Sequence, residues 1–92
     1  MAIEMRTEVR GMTREQAQGF ASQVLPKIKT FPGFIAHASG PSESGYYVTE
    51  FWESQQAHEK WVQEVIMPAM QQAGAAQPPQ PQYLPADTVI TR

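Results

Sequence analysis

Two residues suited to proton transfer lie on neighbouring segments of this chain. His37 lies between small residues in a short apolar segment, and Glu50 lies in the aromatic-rich segment after the next turn. If a hairpin joins these segments, the imidazole and the carboxylate can form a pair. An unperturbed histidine has a pKa of about 6.5, which suits a general base. We predict His37 as a catalytic proton acceptor and Glu50 as its partner. The alternatives are a structural ion pair, or a His37 bonded to backbone at a sheet edge or dimer interface.

Four further side chains could bind a substrate beside this pair. Trp52 shares the strand alternation of Glu50, so the two side chains point to the same face of the sheet. We predict that the substrate-binding residues are Trp52, His58, Trp61 and Tyr46, with Tyr46 at the mouth of a cavity. The competing interpretation makes both tryptophans core residues and His58 a solvated helix residue. A slip of one residue in the hairpin register would reverse the face that His37 and Glu50 occupy.

The composition argues against several other kinds of chemistry. The chain has no Cys, which removes disulfides, thiolate metal sites and cysteine nucleophiles. Its two His are far apart in sequence and make a poor metal site, so we predict no metal, although both could meet a carboxylate in space. Neither a glycine-rich phosphate loop nor a Gly-x-Ser-x-Gly elbow is present, so we predict no cofactor.

Charge and hydropathy indicate the kinds of partner to expect. The net charge is −2 and no long run of one sign occurs, which argues against a nucleic-acid or anionic-lipid surface. No apolar run reaches the roughly 20 residues that cross a bilayer. The first ten residues lack the apolar core of a signal peptide. We therefore predict a cytoplasmic protein that binds neither nucleic acid nor a membrane.

The elements that must position these residues alternate between strand and helix patterns. Residues 2–9, 34–39, 46–53 and 83–91 are predicted strands, because they alternate or are rich in aromatic and β-branched residues. Thr13 followed by Gln16 predicts a capping box for a first helix, and Ser54 caps a second that Gly74 ends. The order βαββαβ predicts an α+β, ferredoxin-like domain over residues 1–92, with a four-stranded antiparallel sheet and both helices on one face. Residues 75–81 are a Pro-rich connector.

Prolines and the faces of the third strand add three expectations. Pro26 predicts a kink or a break after Leu25, and Pro68 a kink in the second helix. Pro85 restricts the fourth strand to an edge or a bulged pairing. Residues of both alternating sets in the third strand are apolar, so neither face of the sheet is fully polar. Two helices cover only one face, which predicts a homodimer.

The motif of residues 31–34, Phe-Pro-Gly-Phe, precedes a hairpin and then Phe-Trp-Glu-Ser at residues 51–54, with Ala57 soon after. This arrangement resembles the antibiotic biosynthesis monooxygenase superfamily over most of the chain. The resemblance implies a dimeric α/β barrel in which two sheets pack face to face, with a cavity between sheet and helices in each subunit. It also implies one of several activities: oxidation of polyketide anthrones to quinones without a cofactor, quinol oxidation, or oxidative haem cleavage.

Individual positions match the family unevenly. Trp52 matches a tryptophan that lines the substrate cavity of anthrone-oxidising relatives, but their asparagine is Val48 here and their tyrosine is His58. Trp61 matches the tryptophan that presses on the porphyrin of haem-degrading relatives. Their iron-ligating histidine is Gln71 here, and the first strand has no asparagine. The resemblance therefore favours oxidation of an aromatic molecule over haem degradation.

We accordingly predict a cofactor-independent monooxygenase that acts on a hydrophobic aromatic, polyketide-like or quinol molecule in a cavity between sheet and helices. A cavity base would deprotonate the substrate, and the resulting carbanion would reduce oxygen. One alternative is a non-catalytic dimer that binds a small molecule or serves as an accessory protein. Another is an isomerase or cyclase on the same scaffold, which needs the base but no oxygen.

Overall fold

The computed structural model describes residues 1–74 and 78–92. The sheet comprises β1 (Ile3–Arg10), β2 (Phe34–Pro41), β3 (Gly45–Trp52) and β4 (Gln82–Pro85), in the spatial order β2-β3-β1-β4. Each neighbouring pair is antiparallel. Helix α1 (Arg14–Ile28) follows β1. After β3 the helical region consists of α2 (Gln55–Trp61), a π-helical segment (Val62–Ile66) and α3 (Met67–Gln72). The order and pairing confirm the α+β, ferredoxin-like βαββαβ fold.

The start of α1 forms as predicted. The hydroxyl of Thr13 accepts a hydrogen bond from the Gln16 backbone N–H at 3.1 Å, and the Gln16 side chain accepts from the Thr13 N–H at 3.0 Å. These bonds satisfy two donors that a helix start leaves free. The helix continues through Pro26 to Ile28, so the predicted break after Leu25 is wrong. Pro26 lies in the last turn, where the burial of Ile28 against the sheet keeps the chain helical.

The second helical region changes its winding before its proline. In the π-helical segment, the Met67 N–H bonds to the carbonyl of Val62, five residues earlier. Pro68, which has no N–H to donate, is the second residue of α3, where a missing donor is tolerated. The structure therefore accommodates Pro68 through a wider turn. The region ends at Gly74, whose φ of +68° confirms the predicted stop.

Both helical regions pack on the same face of the sheet. The centre of the core consists of Trp52 from β3, Trp61 from α2, and Val24 and Ile28 from α1, all buried. Phe31 joins the tryptophans, with its ring centroid 5.2 Å from that of Trp61 and 6.1 Å from that of Trp52, both edge to face. The helices therefore cover one face, as predicted. The opposite face carries Tyr47, with 40% of its surface exposed.

The fourth strand is shorter than predicted. β4 spans Gln82–Pro85 rather than residues 83–91 and pairs with β1 alone. Pro85 cannot donate to a sheet ladder, and one further bond, from the Ala86 N–H to the Ala2 carbonyl at 2.9 Å, ends the pairing. The edge position predicted from Pro85 is confirmed. Of the predicted connector 75–81, residues 75–77 lie outside the described residues, and residues 78–81 have no regular structure. Within the described ranges, no helix is long and apolar enough to span a membrane.

Candidate active site

A buried carboxylate lies at the centre of the candidate site. The ladder between β2 and β3 pairs His37 with Glu50. The Nδ1 atom of His37 lies 2.8 Å from Oε2 of Glu50, and Glu50 retains 4% of its surface exposed. Because the register holds at this point, both side chains point to the helix-covered face. The hairpin therefore brings the two residues together as the sequence predicted.

The other oxygen of Glu50 faces two further ring nitrogens. The indole Nε1–H of Trp52 donates to Oε1 at 2.9 Å, and Nε2 of His58 lies 3.7 Å from the same oxygen. His58 is 4% exposed, so the alternative prediction of a solvated histidine on the helix surface is wrong. A buried carboxylate needs such donors, because it would otherwise lose its hydration without compensation.

These contacts assign the hydrogen of His37. An ionised carboxylate can only accept, so the hydrogen of the neutral imidazole lies on Nδ1 and is donated to Glu50. Nε2 is then the basic atom. It lies 3.2 Å from the hydroxyl of Ser39. A substrate group that carries a proton could take the place of this hydrogen-bond donor. The side chain of His37 keeps 18% of its surface exposed, whereas that of Glu50 keeps 5%. Of this pair, His37 is the residue that a small molecule can reach.

A depression of about 430 Å³ lies beside His37, between the end of α1 and the edge strand β2. Its walls are largely apolar, and it is open to solvent. Lys29, at the C-cap of α1, is the cationic residue in its lining. The residues around it are Leu25, Ile28, Lys29, Phe34, Ala36 and His37. The structure thus combines an imidazole, apolar walls and a positive charge. A second depression of about 430 Å³, between α1 and α3, has Lys27 and Glu64 in its lining.

Tyr83 belongs to the cluster although the sequence did not single it out. Its hydroxyl lies 2.7 Å from Nδ1 of His58, and the two rings are 5.5 Å apart, edge to face. Burial lowers the pKa of His58, which favours its neutral form, and burial raises the pKa of Tyr83 to about 12. Tyr83 faces the helices because it pairs with Met5 on β1. The register of β4 against β1 was the one signal that could have placed Tyr83 in this cluster.

The structure separates the predicted residues into three groups. His37, Glu50, Trp52 and His58 form one connected cluster. Trp61 lies beside this cluster in the core, with its ring centroid 6.1 Å from that of Trp52, and Trp61 and Trp52 are 1% and 0% exposed. Tyr46 lies at the opposite end of β3, roughly 20 Å from Trp52 at about 3.3 Å per residue. Substrate contact by Trp52, His58, Trp61 and Tyr46 stays a prediction.

The described part of the chain holds no group of three or more His, Cys, Asp or Glu side chains arranged for a metal ion. The imidazoles of His37 and His58 approach Glu50 from different sides and use their nitrogens on protein partners. The chemistry that the cluster offers is therefore proton transfer and stabilisation of the imidazolium that results.

A family model described as "Antibiotic biosynthesis monooxygenase" matches residues 2–75. The chain belongs to the antibiotic biosynthesis monooxygenase family. This membership confirms the resemblance seen in the motifs around Gly33 and Trp52. A search of curated proteins found no significant match.

Solved structures support the same fold for this family member. It is similar to SnoaB, a cofactor-independent oxygenase from Streptomyces nogalater, with a TM-score of 0.62, 13% sequence identity, and coverage of 99% of this chain and 95% of that one. A mutant of SnoaB matches with a TM-score of 0.64 and 14% identity over 99% of this chain and 96% of that one. At such low identity, the likeness shows the fold alone.

Proposed function

We propose that this protein is a cofactor-independent monooxygenase that oxidises a hydroxylated aromatic, polyketide-like or quinol molecule beside His37. The observation that carries the proposal is the 2.8 Å contact between His37 Nδ1 and Glu50 Oε2, which leaves Nε2 as a base at the edge of an apolar depression. Membership of the antibiotic biosynthesis monooxygenase family supports the same class of reaction.

The reaction follows from the chemistry of this pair. Nε2 of His37 removes a proton from an activated C–H or phenolic O–H, and Glu50 stabilises the imidazolium that forms. The electron-rich substrate anion gives one electron to O₂, and the resulting radical and superoxide combine as a peroxide. For an anthrone, loss of water from the hydroperoxide gives the quinone, so the CH₂ group and O₂ become C=O and H₂O. One oxygen atom enters the product and the other leaves as water.

Lys29 supports an acidic substrate. The walls of the depression suit a flat apolar ring system, and an ammonium group in its lining would attract the negative charge of a phenolate or enolate. Because the depression is open to solvent, this attraction is modest and depends on salt. We expect hydroxylated aromatic substrates to bind better than their unsubstituted analogues.

The dimer completes the proposal. The helices cover one face of the sheet, whereas the other carries the exposed ring of Tyr47 and the half-buried ring of Phe51 beside the ion pair of Glu4 and Arg6. A second copy packed on this face would bury those rings and compensate for the thin core of a small single domain. Because the chain has no Cys, it needs no oxidising compartment for disulfide formation, and we place this homodimer in the cytoplasm.

Quinone formation from a simple hydroxyanthrone tests the function. Absorbance would be followed in air and under nitrogen for the wild type, His37→Ala, and Gln71→Ala as a control on an exposed helix residue. We expect oxygen-dependent turnover above buffer in the wild type and the control, and about 10²–10⁴-fold less in His37→Ala. Circular dichroism and melting temperature verify that the variants fold.

A second candidate function is non-catalytic binding of an aromatic molecule. It is favoured by the complete burial of Trp52 and by the shallow, open form of the depression. Rates equal to buffer for all three proteins, together with saturable binding of the anthrone, would establish this function instead. Oxygen-independent conversion that requires His37 would indicate an isomerase or cyclase.

A further inference from the structure

We propose that Tyr83 is a positioning residue for the His37–Glu50 pair and that it acts through His58. The inference rests on the proposed function for its catalytic consequence, but its structural content can be measured without a substrate. None of the sequence motifs includes Tyr83, and Tyr83 is not among the residues that line the depression.

The side chains of Tyr83, His58 and Glu50 form a continuous line from β4 to β3. The Tyr83 hydroxyl lies 2.7 Å from Nδ1 of His58, on one side of the imidazole. Nε2, on the other side, faces Oε1 of Glu50 at 3.7 Å, which is too long for a hydrogen bond but close enough for an electrostatic contact. Both nitrogens of His58 therefore face polar groups within the protein.

One placement of hydrogens on these three side chains is favourable. Glu50 is an acceptor, so the His58 nitrogen that faces it is best protonated. Nδ1 is then an acceptor, and the phenol of Tyr83 supplies its hydrogen. In the other tautomer, the Nε2 lone pair would face a carboxylate at short range, which is repulsive. The carboxylate of Glu50 therefore favours the Nε2–H form of His58, and the Tyr83 hydroxyl holds the ring in place by donating to Nδ1.

The charges around the line agree with this assignment. Glu50 on β3 and Glu59 on α2 are the charged groups that act on both rings. Burial outweighs their effect on His58 and lowers its pKa, so the imidazole is neutral near pH 7. Burial also raises the pKa of Tyr83 to about 12, so the phenol keeps the hydrogen that it donates.

The consequence for catalysis is an oriented carboxylate. Trp52 and the Nε2–H of His58 both favour Oε1 of Glu50, which leaves Oε2 for His37. Without the Tyr83 hydroxyl, Nδ1 of His58 loses its hydrogen-bond donor, and the ring is no longer held with its Nε2–H toward Oε1. The carboxylate would then lose its fixed direction, and His37 would lose part of its alignment toward the substrate.

Nitrogen-15 NMR of the imidazole rings tests the tautomer directly. In the wild type, we expect His58 to carry its hydrogen on Nε2 and His37 on Nδ1. In Tyr83→Phe, Nδ1 of His58 loses its hydrogen-bond donor, so its nitrogen-15 signal should move toward that of a nitrogen without a hydrogen bond, while the hydrogen stays on Nε2. Tyr47→Phe removes a hydroxyl from the opposite face of the sheet and should leave both spectra unchanged. A wild-type His58 with its hydrogen on Nδ1, or an unchanged His58 spectrum in Tyr83→Phe, would overturn the inference.

Kinetics then test the catalytic consequence. With the hydroxyanthrone assay, Tyr83→Phe should lower kcat about tenfold, the order expected for one lost hydrogen bond, with little change in KM. An unchanged kcat in an enzyme that depends on His37 would refute the positioning role alone. If no protein shows turnover, the proposed function fails, and the NMR result still decides whether Tyr83 donates to Nδ1 of His58.

Discussion

The indole of Trp52 and the carboxylate of Glu50 lie two residues apart on the same face of β3, joined by a hydrogen bond of 2.9 Å. The indole Nε1–H can only donate, and an ionised carboxylate can only accept, so the bond has a single direction. It fixes one oxygen of Glu50 against the most buried side chain of the core, with Trp52 at 0% exposure. The orientation of the candidate acid–base pair is therefore built into the packing of the sheet.

Replacement of Glu50 by glutamine should separate orientation from charge. The amide has one donor group, which would face either the Trp52 indole or the hydrogen on His37 Nδ1, and neither contact is favourable. We expect turnover of the hydroxyanthrone to fall about 10²–10⁴-fold, as when a catalytic histidine loses the carboxylate that fixes its tautomer. Glu53→Gln, the same change at an exposed position, is the control. Equal rates for the two variants would contradict the role of Glu50.

The burial of His58 should make the fold sensitive to acid. Because its pKa is lowered in the folded state, the unfolded chain binds more protons than the folded one once the pH falls below the ordinary histidine pKa of 6.5. The free energy of unfolding should therefore fall as the pH drops below 6.5 toward the folded-state pKa, and His58 should have no such effect above that window. Urea unfolding from pH 5 to 8, at about half-unit steps, measures the slope.

His58→Gln is the matched variant for this titration, since the amide can still bond Tyr83 but does not titrate. Its absolute stability can differ from that of the wild type, so the comparison is between slopes. We expect a shallower fall below pH 6.5 in the variant. Parallel curves for the two proteins would show that other groups cause the acid sensitivity.

Lys29 should affect substrate binding more than the chemical step. Lys29→Met keeps much of the apolar side chain but removes the charge from the lining of the depression. We expect KM for a hydroxylated substrate to rise about two- to fivefold at low salt, the range of a solvent-exposed charge contact, and kcat to hold. Lys27→Met is the control, because Lys27 lines the other depression. The same rise in both variants would indicate a general effect of net charge.

Gly33, which lies against Ala57 beside the core, should be sensitive to substitution. Its φ is +90°, and a Cβ there would lie 2.6 Å from that of Ala57. Gly33→Ala combines an unfavourable backbone conformation with overpacking, so we expect a loss of about 2–4 kcal/mol in the free energy of unfolding. Gly19→Ala, in open space on α1, should gain about 0.5–1 kcal/mol. Urea unfolding of both variants tests the contrast, and a stable Gly33→Ala would contradict the close approach.

Local patterns in the sequence were sufficient for most of the fold. The capping box of Thr13, the hairpin itself and the shared face of Glu50 and Trp52 depend on neighbours in the chain or on strand alternation. The register of the hairpin was open by one residue in the sequence, and the ladder between β2 and β3 fixes it. Those same patterns predicted the contact between His37 and Glu50. The family match then agreed with the motifs around Gly33 and Trp52.

Contacts set by tertiary packing were not predictable in this way. Tyr83 meets His58 because β4 pairs with β1 and both side chains lie on the helix-covered face of the sheet, and no local pattern encodes that meeting. The length of β4 was overestimated because apolar residues continue beyond Pro85 while the ladder does not. The burial of His58 likewise depends on the rings of Trp52 and Tyr83 beside it.

The π-helical segment explains a spacing that an ordinary helix cannot maintain. Ala57, Trp61, Val65 and Ala69 all pack in the core at intervals of four residues. At about 100° per residue, each such step overshoots a full turn by about 40°, so Ala69 would lie about 120° from Ala57 in a regular α-helix. The extra residue of the wide turn cancels about 100° of that drift. Val62–Ile66 thus acts as a phase correction: one extra residue in the turn brings Ala69 back to the side of the helix that Ala57 occupies.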